Sequence, residues 1–164
     1  MELLLGLGGN LGNVPATFAW AFAQLRQKMP VLRCSSLYLT EPQGPPQPPF
    51  FNAVLLLSLH QHPLELLAFC QALEALAGRR QEEVRWGPRP LDLDLLLVPG
   101  VVLVHPRLQL PHPRLAQRPF ALIPAAEVAP MLVHPRFHQP LSALASAFPA
   151  QGPACQRIGP FPIP

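Results

Sequence analysis

Two aspartates, Asp92 and Asp94, interrupt an otherwise apolar run in RWGPRPLDLDLLL, residues 85–97. In a strand their spacing projects both to one face, roughly 6.6 Å apart, with Leu91, Leu93 and Leu95 on the other. At an effective dielectric near 20 such a pair repels by about 2 to 3 kcal/mol, and aspartate is a poor strand former. Solvent, arginine partners or a divalent cation could offset that cost. Mg²⁺ fits the last case, being commonly held by one or two carboxylates together with substrate phosphates. Just upstream, GRRQEEVRWGPR supplies Arg79, Arg80, Arg85 and Arg89 in a segment without apolar periodicity, which reads as a loop. Four guanidinium groups exceed what two carboxylates require, and the surplus suits a polyphosphate. PHPRLAQRPF adds His112, Arg114 and Arg118.

The composition narrows the chemistry. The chain has 164 residues, 49% hydrophobic and 13% charged, which predicts one domain with a real core and excludes a disordered protein. Its 12 cationic side chains include a single lysine, Lys28, so positive charge is almost all arginine. A net charge of +3 permits an anionic ligand but argues against nucleic acid as a partner. Cys34, Cys70 and Cys155 are odd in number and lack a CxxC pairing, which predicts buried reduced thiols. MELLLGLGGN has no basic leader and no stretch reaches about 18 apolar residues, so a cytoplasmic protein without membrane spans is expected. There is no GxxxxGK[ST], GxSxG or HExxH, and GLGGNLG fails GxGxxG because Leu11 stands at its last glycine.

The elements that position these residues follow from local pattern. ELLLGL, residues 2–7, predicts a strand, and the turn GGNLGN leads into a helix over 14–29, with Asn13 as cap and Pro15 in the first turn. VLRCSSLYLT, 31–40, reads as one strand and NAVLLLSLH, 52–60, as its partner. EPQGPPQPPF between them is a semi-rigid surface loop. Pro63 opens a second helix, closed by Gly78, on which Leu66, Leu67, Cys70, Leu73 and Leu76 recur at helical spacing. LDLDLLLV is a strand, with VVLV after Pro99-Gly100 returning as a hairpin. This order predicts an α/β (α+β) fold, a ferredoxin-like βαββαβ sandwich with a mainly antiparallel sheet covered on one face by two helices. Short elements broken by prolines follow from 105 to 148, closing a single domain over 1–148. A loose Pro-rich tail is expected over 149–164.

At this point the chain resembles the 6-hydroxymethyl-7,8-dihydropterin pyrophosphokinases of folate synthesis. RWGPRPLDLDLLL is similar to their signature RWGPRTLDLDIL. The likeness runs in order through GGN, SSLYLTEPQG, FNAV, LEALAGR, that signature and LPHPRLAQRPFALIPAAEVAP. The resemblance implies transfer of pyrophosphate from ATP to the pterin hydroxymethyl oxygen, releasing AMP, with two Mg²⁺ ions on Asp92 and Asp94. It implies that Arg79 and Arg89 assist transfer, and that Gln71, Glu74, Arg107, His112 and Arg118 bind ATP. Thr40, Gln43, Gly44, Phe50, Asn52, Trp86 and Phe120 would surround the pterin, a flat heterocycle suited to aromatic faces and an amide.

Three positions depart from the family pattern: Gly9 replaces a usual serine, Gln81 a loop arginine and Phe50 a common tyrosine. A monomer is expected. Two alternatives stay open, a catalytically silent pterin- or nucleotide-binding protein and a ferredoxin-like RNA-binding module. The second would need aromatics on its central strands, where this chain has leucines and DLD.

Overall fold

The computed structural model describes residues 1–42, 44–78, 87–149 and 155–164. Strand β1 (Glu2–Gly9) is followed by α1 (Val14–Lys28), whose Asn13 side chain accepts from the Ala16 N–H at 3.3 Å. Then come β2 (Val31–Cys34), β3 (Leu37–Thr40), β4 (Phe50–Ser58) and α2 (Pro63–Leu76). Strand β5 (Asp92–Leu97) carries both aspartates. After it lie β6 (Leu103–His105), β7 (Leu108–Leu110), a 3₁₀ turn (Leu115–Gln117), α3 (Pro119–Val128), α4 (Leu141–Ala145) and β8 (Gln156–Gly159).

The main sheet runs β5-β1-β4-β3-β8, with β2 also pairing β4, and every pairing is antiparallel. Its first four positions are those of the expected βαββαβ sandwich. One face buries Leu3, Leu5, Leu7, Leu55, Leu57, Leu93 and Leu95 against Phe18, Phe22 and Leu25 of α1 and Leu66, Cys70 and Leu73 of α2. From Ala53 to Leu57 strand β4 is apolar without alternation because Val54 and Leu56 are buried on the other face as well.

Four local expectations need correction. The strand expected over 31–40 splits at Ser35-Ser36: the Ser35 hydroxyl accepts from the Val54 N–H at 2.9 Å, while the Ser36 N–H turns to Glu127 of α3 at 2.9 Å. Side chains have replaced ladder bonds there. The residues after Pro99-Gly100 do not return along β5. The Leu93 N–H on β5 is occupied by Glu74 of α2 at 2.7 Å, and β6 instead closes on β7 as a separate two-stranded sheet. The second face of the sheet is not bare, since Leu122, Ala125 and Val128 of α3 and Leu141 of α4 cover Leu4, Val54, Leu56 and Leu97. Finally, the segment expected as a loose tail supplies β8, which pairs with β3. Cys155 is buried and Phe161 packs on Phe18 and Phe22 at ring distances of 6.4 and 5.5 Å. The free edge of β3 and an apolar hollow beside α1 recruit it, and neither is a local property of the tail.

Candidate active site

Where α3 and α4 leave the second face of the sheet uncovered, a cavity of about 310 Å³ opens, within the range of small-molecule sites. Asp92, Asp94, Gly6, Gly8 and Asn52, in two rows across β5, β1 and β4, form its floor, the second row ending at Val54 beneath α3. Asp92 pairs with Gly8, which pairs with Asn52; Asp94 pairs with Gly6, which pairs with Val54. Adjacent strands lie roughly 4.8 Å apart, so Asp92 and Asn52 stand about 10 Å from one another with a side-chain-free trough between them. A Cβ on Gly6 would come within 3.3 Å of Leu96, and one on Gly8 within 3.2 Å of the Asn52 amide nitrogen. The glycines hold the trough open.

The β5 end of the trough is charged. Arg89 lies 3.5 Å from Asp92 and its Nε donates to the Gly87 carbonyl at 3.3 Å. His112 is held by its own N–H, which donates to the Leu96 carbonyl of β5 at 2.7 Å. Its Nδ1 accepts from the Arg114 N–H at 3.1 Å, so the neutral ring carries its proton on Nε2. Burial, and then the neighbouring Arg118 and Arg114 charges, push the imidazole down to about 4 against a smaller opposing pull from Asp92. Neutral His112 is therefore a hydrogen-bond donor without a charge of its own.

The β4 end is built for a flat polar ring. The Thr40 hydroxyl donates to Asn52 Oδ1 at 2.8 Å, fixing the amide so that its nitrogen faces Gly8 and the trough. Phe50 and Phe120 line the same end, and the Arg118 guanidinium lies 5.6 Å from the Phe120 ring centre. Arg118 thus reaches from the aromatic end towards the charged one.

Of the expected site residues, the cavity brings together Arg89, Asp92, Asp94, His112 and Arg118 with Thr40, Phe50, Asn52 and Phe120. Gln71 and Arg107 are exposed and do not line it. Gly44, at φ +99°, turns the proline loop without lining the cavity. Glu74 is buried with its carboxylate on the Leu93 N–H. Gln43, Arg79, Arg80, Gln81, Arg85 and Trp86 lie outside the described residues.

Two contributors were missed from sequence. Glu41 lines the cavity next to Thr40. Asn10, buried behind the site, spends its amide on two other segments: Oδ1 accepts from the Arg89 N–H at 2.9 Å, and Nδ2 donates to Gln47 Oε1 and the Pro48 carbonyl, both at 2.9 Å. The GGN turn signalled a close approach of backbones but not its partner. That partner also accounts for Gly9, where a Cβ would lie 2.5 Å from the Pro90 carbonyl oxygen. Serine there would require Pro90 to move.

Two oxygen-donor carboxylates on one face suit Mg²⁺, which takes few protein ligands and leaves the rest to water and phosphate. Among the described residues no cluster of three or more His, Cys, Asp or Glu side chains forms a self-sufficient metal site. The donor set fits an ion that arrives with its substrate.

Comparison with known proteins gives a consistent answer. A sequence model of the 7,8-dihydro-6-hydroxymethylpterin-pyrophosphokinase family matches residues 4–130. The chain is 44% identical over 135 residues to the 2-amino-4-hydroxy-6-hydroxymethyldihydropteridine pyrophosphokinase of Synechocystis, covering 81% of the chain and 69% of that relative. It is 40% identical over 155 residues to the Pseudomonas aeruginosa enzyme of the same name, covering 92% and 94%. Among solved structures, an HPPK-DHPS protein in complex with substrates superposes with a TM-score of 0.69 at 11% identity, over 89% of this chain. The chain spans 43% of that longer protein, and the likeness carries the fold.

Proposed function

Since the chain belongs to the 7,8-dihydro-6-hydroxymethylpterin-pyrophosphokinase family, we propose that its cavity is where ATP and 6-hydroxymethyl-7,8-dihydropterin meet for the pyrophosphokinase step of folate biosynthesis. The observation that carries this assignment is the row Asp92–Gly8–Asn52, which sets a carboxylate end against an amide-and-aromatic end across an open trough. Asp92 and Asp94 would hold the two Mg²⁺ ions that the resemblance implies, and these would supply neutralisation of phosphate charge. Arg89, Arg118 and neutral His112 bind the phosphate oxygens, with Arg79 as a further contributor by resemblance. Exposed Gln71 and Arg107 meet the nucleotide at the margin. The pterin ring lies between Phe50 and Phe120 with an edge on the Thr40–Asn52 pair, and Gln43, Gly44 and Trp86 are further pterin contacts by resemblance alone.

The hydroxymethyl oxygen attacks the β-phosphorus in line. One O–P bond forms as the bond from the β-phosphorus to the AMP oxygen breaks, and the hydroxyl proton passes to solvent. Positioning and charge neutralisation drive the step, since a loose phosphoryl transition state asks little of a base. The working unit of this reading is a monomer, and three cysteines outside any disulfide accord with a reducing cytoplasm. Chromatography of a reaction with MgATP and the reduced pterin is expected to show AMP and the pterin diphosphate in equal amounts. ADP with a pterin monophosphate would overturn the assignment of the attacked phosphorus, and no product at all would favour a silent binding protein.

A further inference from the structure

Among the described residues, one carboxylate is buried: Glu74 of α2, at 9% exposure. It lies outside the cavity lining, so its burial has to be explained without direct contact with the trough. A carboxylate taken out of water needs strong hydrogen-bond donors. Glu74 Oε2 accepts from the Leu93 N–H at 2.7 Å, the length of a charge-assisted bond. Leu93 is the residue between Asp92 and Asp94.

Among the described residues β5 is the terminal strand of the sheet: its only ladder is with β1, and the one further backbone bond it takes is near its far end, from the His112 N–H to the Leu96 carbonyl at 2.7 Å. An edge strand is held by half the usual ladder and is free to twist or slip. A slip of one residue would turn every side chain to the opposite face. On β5 that would carry Asp92 and Asp94 into the leucine core and expose Leu93 and Leu95. Leu93 is buried among the side chains facing α1 and α2, and the Glu74 carboxylate pins its backbone from the same helix. The helix thus supplies, at one point, the hydrogen bond that a neighbouring strand would have made.

We infer that Glu74 is a positioning residue for the metal-binding aspartates: by capturing the Leu93 N–H it fixes the pleat of β5 so that Asp92 and Asp94 face the cavity. This rests on the proposed role of those aspartates, and it gives Glu74 a different task from the nucleotide contact that the resemblance implies.

Three substitutions separate reach from charge. Glu74→Gln keeps an acceptor oxygen at the same reach, Glu74→Asp keeps the charge but is one methylene short, and Glu74→Ala removes both. In the metal-free proteins, hydrogen exchange at the Leu93 amide is expected to stay slow in Glu74→Gln and to quicken by about tenfold or more in Glu74→Asp and Glu74→Ala. The Mg²⁺ concentration giving half-maximal turnover should follow the same order, rising about 10- to 100-fold in the Asp and Ala variants, as when an outer-shell partner of a metal ligand is lost. It should stay within about threefold of wild type in Glu74→Gln. The pterin KM should not change. Unaltered Leu93 exchange in Glu74→Asp would overturn the inference, as would a Glu74→Gln protein as impaired as Glu74→Asp. A raised KM for ATP with unchanged Leu93 exchange would return Glu74 to the nucleotide. If Glu74→Ala fails to fold, the Gln and Asp pair decides alone. Failure of the metal reading itself would show separately, as near wild-type turnover in Asp92→Asn or Asp94→Asn whatever Leu93 does.

Discussion

On the face of the sheet covered by α1 and α2, β1 contributes Leu3, Leu5 and Leu7, whereas the opposite face of the same strand carries Leu4, Gly6 and Gly8. Strand β5 divides likewise, Leu93 and Leu95 on one side, Asp92, Asp94 and Leu96 on the other. A side chain that fills space on the first face corresponds, one residue along, to a hydrogen atom or a carboxylate on the second. The helix-covered face can be packed to the density of a protein interior because nothing else is asked of it. The other face keeps that packing only where α3 and α4 lie over it, at Leu4, Val54, Leu56 and Leu97, and gives it up over the trough. Stability and chemistry are thus separated by the two-residue period of the strand, and the two faces should respond to substitution in opposite ways.

The largest effect is expected from the second face. Asp92→Asn or Asp94→Asn should lower kcat by about a thousandfold, since a metal clamp contributes several kcal/mol to a phosphoryl transition state and each 1.36 kcal/mol is tenfold. The melting temperature should change little, because neutralising one carboxylate relieves the repulsion within the pair while at Asp92 it also gives up a partly exposed 3.5 Å ion pair with Arg89. Steady-state kinetics at saturating Mg²⁺ and a thermal melt on the same sample check both halves. An unfolded Asp94→Asn protein would mean that the carboxylate holds the fold instead of the ion.

Leu5→Ala breaks the comparison from the other side. Leu5 is fully buried beneath α1 and α2, and its truncation leaves a cavity in a packed core. A loss of about 2 to 5 kcal/mol of stability is expected, with kcat per folded molecule close to that of the parent. Urea denaturation and an assay at low temperature read the two quantities. A large fall in kcat at full folding would show that the faces are mechanically coupled.

What could be read from sequence follows the same division. Strands β1 and β4, helices α1 and α2, and the facing of Asp92 and Asp94 were legible because period two, period 3.6 and flanking prolines are local signals. The break at Ser35-Ser36, the use of β8 and Phe161, and the cover provided by α3 were not, since each depends on a partner far along the chain: Val54 and Glu127, the edge of β3, and Phe22. Within the site, His112 stood out from its own neighbourhood beside Arg114 and Arg118, whereas Thr40 and Asn52 were reached through motif resemblance. Asn10 and Glu74 act by hydrogen bonds to the backbone of Arg89 and Leu93, which leave no pattern in their own neighbourhoods. One local signal was available and unused. At His62, His105, His112 and His134, each followed by proline, Nδ1 accepts the N–H two residues on, so His-Pro-x itself predicts the tautomer of His112.

A smaller perturbation tests the emptiness of the trough. Gly8→Ala would place a methyl group 3.2 Å from the Asn52 amide nitrogen, closer than ordinary contact, and 3.9 Å from Asp92 Cβ. Asn52 is tied to Thr40, so the amide must rotate off its preferred angle at about 0.5 to 1.5 kcal/mol. The KM for the pterin should rise about threefold to tenfold, while kcat and the melting temperature change little. A lowered kcat with unchanged pterin KM would place the effect at Asp92 and shift the pterin away from Asn52.

The smallest effect concerns protons. His112 binds its proton only near pH 4 in the folded, metal-free protein, whereas the unfolded chain takes it up near the ordinary value of 6.5. Between those limits the unfolded state holds the extra proton, so the His112 contribution makes stability rise with pH from about 4 to 6.5 and stay flat above. The sign follows from burial and from Arg118 and Arg114, which disfavour the imidazolium. Buried His134, lowered for similar reasons, adds a slope of the same sign, so the wild-type profile alone cannot be divided between them. His112→Gln removes one term. Its denaturation midpoints, measured in chelator from pH 4 to 8, should fall less steeply than those of the parent on the acid side and run parallel to them above pH 7. The contribution is modest because His112 stands at the cavity wall and water reaches part of the ring. Parallel profiles throughout would mean that the ring in the folded protein titrates as it does in the unfolded chain, and the neutral donor proposed for the phosphate end would have to be replaced by a charged one.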